Sequence, residues 1–167
     1  MKRRAWLLLG ALALLPACST RGYAFKVDES IDMTAPEARS SVSLPVTITW
    51  VDHEPPANLA VDIHDPDSRY YGVFLDRSPI GPGRTLRSVV AKTDSCRRTP
   101  NCPDIAYLHD RKIFLTSEPT LTLELLQDLR ASKRATKKDP HEATVVRMQG
   151  DRRVGEASFR LNFFVKR

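Results

Sequence analysis

The sequence predicts an all-β fold, a single β-sandwich of about seven short strands with little helix. Apolar and polar residues alternate over residues 42–50 and again over residues 156–165, and this period of two is typical of strands with one buried face. The 167-residue chain also contains 12 prolines and 7 glycines, which divide it into short segments. Helical spacing is confined to short stretches around residues 104–111 and 125–129.

The predicted strands follow one another from residue 42 to the end of the chain. The first contains Pro45, which cannot donate a hydrogen bond to a neighbouring strand, so we expect a sheet edge or a bulge there. Asp104 is placed to cap a helical turn over residues 106–111. Residues 149–153, Gln-Gly-Asp-Arg-Arg, predict a hairpin turn. Further strands are predicted over residues 71–75, 85–91, 113–116, 121–125, 143–148 and 156–165, the last with an inward face of Phe159, Leu161, Phe163 and Val165.

Residues 1–17 predict an export signal. Three cationic residues, 2–4, precede a largely apolar stretch over residues 5–17. That stretch is shorter than the ~20 residues a helix needs to cross a bilayer. It suits the apolar region of a secretory signal instead.

The sequence Leu15-Pro16-Ala17-Cys18 resembles the lipobox of bacterial lipoproteins, with a leucine three residues before the cysteine and a small residue directly before it. The resemblance implies that the Cys18 thiol receives a diacylglyceryl group, that the chain is cleaved before Cys18, and that the new terminus is acylated. Ser19 resembles the pattern of lipoproteins sent to the outer membrane of cells that have two membranes. The alternative is an ordinary secretory signal cleaved elsewhere.

This interpretation divides the chain into a signal peptide over residues 1–17, a polar tether over 18–30 and a folded domain over 31–167. Two or three acyl chains are enough for stable anchoring. No later segment is long and apolar enough to predict a membrane span. We therefore expect a cell-envelope protein held to the membrane by lipid, and in a cell with two membranes on the outer membrane, at its periplasmic side or surface.

Both ends of the folded domain resemble bacterial immunoglobulin-like or fibronectin-III-like domains. The stretch IDMTAPEARSSVSLPVTITW, residues 31–50, is similar to their first two strands, and HEATVVRMQG with RVGEASFRLNFFVKR, residues 141–167, is similar to their closing hairpin. The resemblance implies a Greek-key sandwich. Another Greek-key sandwich or a small barrel remains an open alternative.

The three cysteines divide into one lipidated residue and one pair. With Cys18 modified, Cys96 and Cys102 are left in an oxidising compartment, where a disulfide is expected. A disulfide closing so short a loop gains little from chain entropy, so its expected role is to fix a surface loop. Half of a zinc site is the alternative, although the chain has no second pair at zinc-like spacing.

The richest polar cluster contains Asp62, His64 and Asp67. On a strand, Asp62 and His64 would share one face and present a carboxylate and an imidazole to a metal ion. The stretch Asp65-Pro66-Asp67-Ser68 equally predicts a turn in which aspartate side chains accept backbone hydrogen bonds. We expect the turn, with metal binding as the alternative.

Two further features predict contact surfaces. Tyr70 and Tyr71 are expected on opposite faces of a strand, one in the core and one outward, where it would suit protein or glycan contact. The alternative is a tyrosine lying over its strand neighbours.

The second feature is a basic run that could meet anionic lipid or an acidic partner, or could be a solvated loop: Arg130, Lys133, Arg134, Lys137 and Lys138.

The formal charge of +6 conceals an uneven distribution. Residues 18–67 hold three basic and nine acidic residues, a balance of −6, and residues 68–167 hold 20 basic and 11 acidic, a balance of +9. The basic residues carry no recognition motif or interleaved aromatics, so a nucleic-acid partner is not expected.

The sequence contains no catalytic or cofactor-binding motif: no nucleophile elbow, zinc-protease helix, phosphate loop or dinucleotide glycine pattern. We therefore expect a binding or structural module that uses no cofactor and recognises an envelope protein or glycan. An envelope enzyme or metal carrier using the Asp62/His64/Asp67 region is the alternative. A third candidate is an assembly factor for a secretion or surface machine.

Overall fold

The structure, a computed structural model, describes residues 26–124 and 138–166. The predicted lipidation site at Cys18 lies outside the described residues. The described chain folds into nine strands and one short helix, α1, at Ile105–His109. The strands are β1 Ile31–Ala35, β2 Ser41–Val42, β3 Val46–Asp52, β4 Arg69–Leu75, β5 Ile113–Thr116, β6 Thr120–Leu123, β7 Lys138–Gln149, β8 Arg152–Ala157 and β9 Leu161–Lys166.

The strands form two sheets, of order β1-β3-β6 and β2-β9-β7-β4-β5, and β8 pairs with β7 in the second. Strands β2 and β9 are parallel to each other, and the other strand pairs are antiparallel. The chain therefore pairs β1 with one sheet and β2 with the other. The predicted all-β sandwich is confirmed.

Pro45 divides the first predicted strand in two. It lies between β2 and β3, because a residue without an N–H cannot continue the ladder. From Val46 to Trp50 the expected alternation holds, with Val46, Ile48 and Trp50 buried. The single strand expected over residues 42–50 is thus two strands that belong to different sheets.

The inner core lies between the two sheets. One side chain that anchors it is Trp50, whose indole meets the Tyr71 ring edge-on at 5.3 Å between centroids. The inner core contains Ile31, Val46, Ile48, Trp50, Tyr71, Val73, Leu75, Leu123, Val145, Leu161, Phe163 and Val165.

A second apolar cluster covers the outer face of the larger sheet, and we call it the outer cluster. The segment between β4 and β5 folds back over that face and supplies Ile80, Leu86 and Leu108, which pack on strand residues Tyr70, Phe74, Val146 and Met148. The strand predicted over residues 85–91 is wrong. A short 3-10 helix at Leu86–Val89 replaces it, because Leu86 and Val90 are buried at a helical spacing while Arg87 and Ser88 face solvent.

Two local predictions are confirmed, the cap of a helical turn at Asp104 and the hairpin turn within residues 149–153. The Asp104 carboxylate accepts a hydrogen bond of 2.7 Å from the Tyr107 N–H and caps α1. The β7–β8 hairpin turns at Gly150 and Asp151, where Gly150 has φ 53°, a conformation that glycine adopts without strain.

The last predicted strand is interrupted. Between β8 and β9 the chain leaves the ladder, and the Ser158 hydroxyl takes the place of a backbone acceptor by receiving the Val145 N–H at 2.9 Å. The interruption turns Phe159 outward, and 63% of its surface is exposed. The expectation that Phe159 faces inward is wrong, whereas Leu161, Phe163 and Val165 are buried as predicted.

The sandwich has two ends that matter for function. We call the end that holds the β7–β8 turn the hairpin end, and the end where β6 finishes and β7 begins the far end. Val27 pairs in parallel with Ala157, so the chain from Lys26 runs alongside β8, away from the hairpin turn. Residue 26 therefore lies on the hairpin side of Val27. Within the described residues, no helix is long and apolar enough to cross a membrane.

Candidate functional site

A cavity of about 590 Å³ opens at the hairpin end. Three segments that are far apart in the sequence form its walls: the loop before β4, the segment between β4 and α1, and the β7–β8 turn. Such a volume matches that of small-molecule sites in proteins. Its lining residues are Ile63, His64, Pro66, Leu86, Arg87, Asn101, Cys102, Pro103, Gln149, Gly150, Asp151 and Arg152.

The first wall is a turn held by aspartate side chains. The Asp62 carboxylate accepts the backbone N–H groups of His64 at 2.8 Å and Asp65 at 3.3 Å, and Asp65 accepts that of Asp67 at 2.9 Å. These bonds are those of the predicted turn. Of the predicted metal candidates, only His64 lines the cavity. In the described part of the chain, no group of three His, Cys, Asp or Glu side chains is placed to hold a metal ion.

The second wall contains the Cys96–Cys102 disulfide, which confirms the predicted pairing. The bond joins Cα atoms 5.3 Å apart. The Asp94 carboxylate accepts the Cys96 N–H at 2.9 Å, and the Arg97 guanidinium donates to the carbonyls of Ala91 and Val90. The disulfide and these hydrogen bonds therefore fix the conformation of the loop. Cys102, at its end, lines the cavity.

The third wall, the β7–β8 turn, is held by Tyr70. The Tyr70 hydroxyl donates to the Gly150 carbonyl, and burial, together with the charges of Asp151 and Asp62, raises the pKa of that hydroxyl. A Cβ at Gly150 would approach the Pro66 Cα to 3.1 Å, so glycine also allows the first and third walls to touch. The turn and the first wall are thus packed directly together.

Neither tyrosine of the predicted contact surface is exposed. Tyr70 and Tyr71 do lie on opposite faces of β4, but Tyr70 is 0% and Tyr71 1% exposed. The expectation of an outward tyrosine is wrong because the outer face of the sheet is covered by the outer cluster. Tyr71 instead belongs to the inner core and donates its hydroxyl to the Asp52 carboxylate at 3.0 Å.

Two arginines give the cavity its charge. Arg87 donates from Nη2 to the Arg97 carbonyl at 2.6 Å, and Arg152 donates from Nη1 to the Gly83 carbonyl at 3.2 Å. Over the described ranges, neither guanidinium has a carboxylate oxygen within ion-pairing distance. Asp151 is the acidic residue of the lining. The cavity thus carries two unneutralised cations and one carboxylate.

A buried ion cluster lies behind the hairpin end and was not predicted from the sequence. Arg147 on β7 forms ion pairs with Asp28 and Asp52, and the Asp52 side chain is only 2% exposed. Burial alone would raise the pKa of Asp52, but hydrogen bonds from Arg147, the Glu54 N–H and the Tyr71 hydroxyl outweigh it, and the pKa lies below 3.8. The cluster ties the segment before β1 to both sheets.

The predicted basic run is mostly outside the described residues. Arg130, Lys133, Arg134 and Lys137 fall in the undescribed range, and Lys138 is described only as the first residue of β7. The described residues that flank the run, Glu124 and Lys138, both lie at the far end of the sandwich. The described residues on either side of the run and the cavity therefore lie at opposite ends of the domain.

No family model, no curated protein and no solved structure matches this chain. A functional assignment therefore depends on the residues and geometry described above.

Proposed function

We propose that the chain is a lipid-anchored cell-envelope protein whose β-sandwich is a binding module, with the hairpin-end cavity as its recognition site. The observation that carries this proposal is the meeting of three loop segments around a charged cavity at one end of the sandwich. Sandwich domains commonly recognise partners through loops clustered at one end, because the sheets hold those loops in fixed positions.

The rigidity of the cavity walls supports a binding role. The aspartate-capped turn, the disulfide loop and the Tyr70-held hairpin each have internal bonds that fix their conformation. A site that is already ordered loses less conformational entropy when its ligand binds. These bonds hold all three walls of the cavity, so we take the hairpin end as the recognition surface.

The anchoring part of the proposal is supported by the lipobox resemblance at Cys18 and by the path of the first described residues. Val27 pairs with Ala157 at the end of β8, and Lys26 lies one residue nearer the hairpin end. The eight residues 18–25 can span at most about 29 Å when fully extended. A lipid on Cys18 would therefore hold the domain near the membrane surface, where its effective concentration for binding other envelope molecules is high.

Metabolic labelling tests the anchor. Cells expressing the full chain and fed an alkyne fatty acid are expected to yield a labelled protein in the membrane fraction, and Cys18→Ala is expected to abolish the label. Cys96→Ala is the matched control and should keep the label, since its thiol is used in the disulfide. An unlabelled wild-type protein, or equal label on Cys18→Ala, would contradict lipidation.

In vivo crosslinking tests the binding role. Repeated capture of the same envelope protein or glycan by the full chain, identified by mass spectrometry, supports a recognition module. Failure to capture any envelope molecule above the level of an unrelated lipoprotein of similar abundance counts against it.

A further inference from the structure

The charge and lining of the hairpin-end cavity define a class of ligand. We propose that the cavity binds a small oxyanion, a carboxylate or phosphate, attached to an apolar body. This inference rests on the proposed binding function and adds the chemistry of the ligand.

The oxyanion is assigned to Arg87 and Arg152. The two residues lie on hydrogen-bonded neighbouring segments, since the Leu86 N–H donates to the Asp151 carbonyl at 2.7 Å. Each guanidinium has five N–H donors, and each gives one of its Nη groups to a backbone carbonyl. Arginine binds carboxylate and phosphate through paired hydrogen bonds, which are among the strongest polar contacts in proteins. The remaining donors of the two arginines are suited to one such group.

The carboxylate of Asp151 opposes anion binding by the two arginines. It is the acidic residue in a lining that also holds two arginines, so the cavity keeps a net positive charge without any contribution from His64. An anion bound there is repelled by Asp151 and attracted by Arg87 and Arg152. Removing the Asp151 charge should therefore strengthen anion binding, which is a prediction opposite in sign to that for the arginines.

The apolar body is assigned to the remaining wall. Ile63, Leu86 and Pro103 line the cavity beside the arginines; Leu86 and Pro103 are buried beneath this wall, and Ile63 is partly exposed on it. A volume of about 590 Å³ is far larger than a bare oxyanion needs. A ligand that fills the space would therefore cover this wall with apolar surface.

Calorimetric titration of the full chain in phosphatidylcholine nanodiscs tests the proposal. The probes are 4-phenylbutyrate and phenyl phosphate, with the neutral amide 4-phenylbutanamide as control. Both acids are expected to bind at least about tenfold more tightly than the amide, as expected for losing a charge-assisted hydrogen bond. The tighter acid of the two assigns the natural group as carboxylate or phosphate.

Variants make the test specific. Arg87→Gln and Arg152→Gln should each weaken acid binding at least about tenfold, whereas Asp151→Asn should strengthen it about threefold. Arg98→Gln is the matched control and should bind like the wild type, because Arg98 is an exposed arginine of the disulfide loop that does not line the cavity.

Two results would overturn the inference: amide binding as tight as acid binding, or wild-type affinity in both arginine variants. Absence of binding by all probes, together with crosslinking of a partner at the hairpin end, would reject the anionic ligand and leave the binding function standing. Acid binding with the expected variant pattern, but no captured envelope partner, would support the ligand class and reject the tethered recognition of a macromolecule.

Discussion

Replacing Phe74 with alanine is expected to lower the free energy of unfolding by about 3–5 kcal/mol. Phe74 is 0% exposed and packs in the outer cluster, between the larger sheet and the segment that covers it. Truncation removes the apolar contact of the ring and leaves a cavity that the surrounding strands cannot fill. Urea denaturation followed by Trp50 fluorescence measures the change, because Trp50 lies in the inner core.

Phe159→Ala is the matched control for this prediction. Phe159 carries the same side chain, but 63% of its surface is exposed, so its truncation should change stability by no more than about 0.5 kcal/mol. Equal losses for the two variants would show that the outer cluster does not contribute to the core. A loss confined to Phe74 supports the second apolar layer.

Replacing Arg147 with methionine is expected to destabilise the domain by about 3–5 kcal/mol. Methionine has a similar length and preserves the packing of the aliphatic part of the arginine side chain. It leaves the carboxylates of Asp28 and Asp52 without their cation. Since the Asp52 side chain is 2% exposed, its charge is then buried with hydrogen bonds from the Tyr71 hydroxyl and the Glu54 N–H but with no cation. The same urea titration measures the loss.

The exposed pair Arg160–Glu142 supplies the control, because the Arg160 side chain is 53% exposed and its ion pair is screened by water. Arg160→Met should cost no more than about 1 kcal/mol. A small loss for Arg147→Met, similar to that for Arg160→Met, would contradict the structural role of the buried cluster.

The pH dependence of the Arg147 effect follows from Asp52. Its pKa is lower in the folded protein than the usual 3.8, so its stabilising contribution is complete above the unfolded value and is lost as the pH falls through the folded value. The stability difference between wild type and Arg147→Met should therefore be largest near neutral pH and shrink below about pH 4. A difference that grows on acidification would contradict this assignment.

Period-two alternation and turn residues carried enough information to predict most of the sheet. They located β4, β5, β6 and the β7–β8 hairpin, which turn residues separate from one another, although β4 is buried on both faces. The segment between β4 and β5 was harder to predict. Its buried residues, such as Ile80, Leu86 and Leu108, are widely spaced, so no local period shows that the segment covers a sheet.

The covering segment that the sequence pattern did not reveal explains the error in the tyrosine pair. Alternation placed Tyr70 and Tyr71 on opposite faces, and the structure agrees. Exposure depends on what covers each face, and a strand pattern holds no information on a covering layer that comes from a distant segment. The outward position assigned to one tyrosine was therefore wrong, although the assignment of faces was correct.

The cavity was beyond sequence reasoning for a related reason. His64, Arg87 and Arg152 are separated by tens of residues and carry no motif, so only the strand order brings them together.

The Arg147 cluster is visible in the sequence, since a charged residue interrupts the apolar run Val145-Val146-Arg147-Met148 within a strand. Such a residue needs buried partners, and the nearby carboxylates of the acidic front third supply them.

Site-specific photocrosslinking in cells tests most directly whether the hairpin end is the recognition surface. A benzoylphenylalanine residue replaces Asn101, an exposed residue on the cavity rim, or Glu37, an exposed residue beyond β1 towards the far end. The account predicts a discrete adduct from the Asn101 position and none from Glu37. An adduct from Glu37 alone, or equal adducts from both positions, would contradict it.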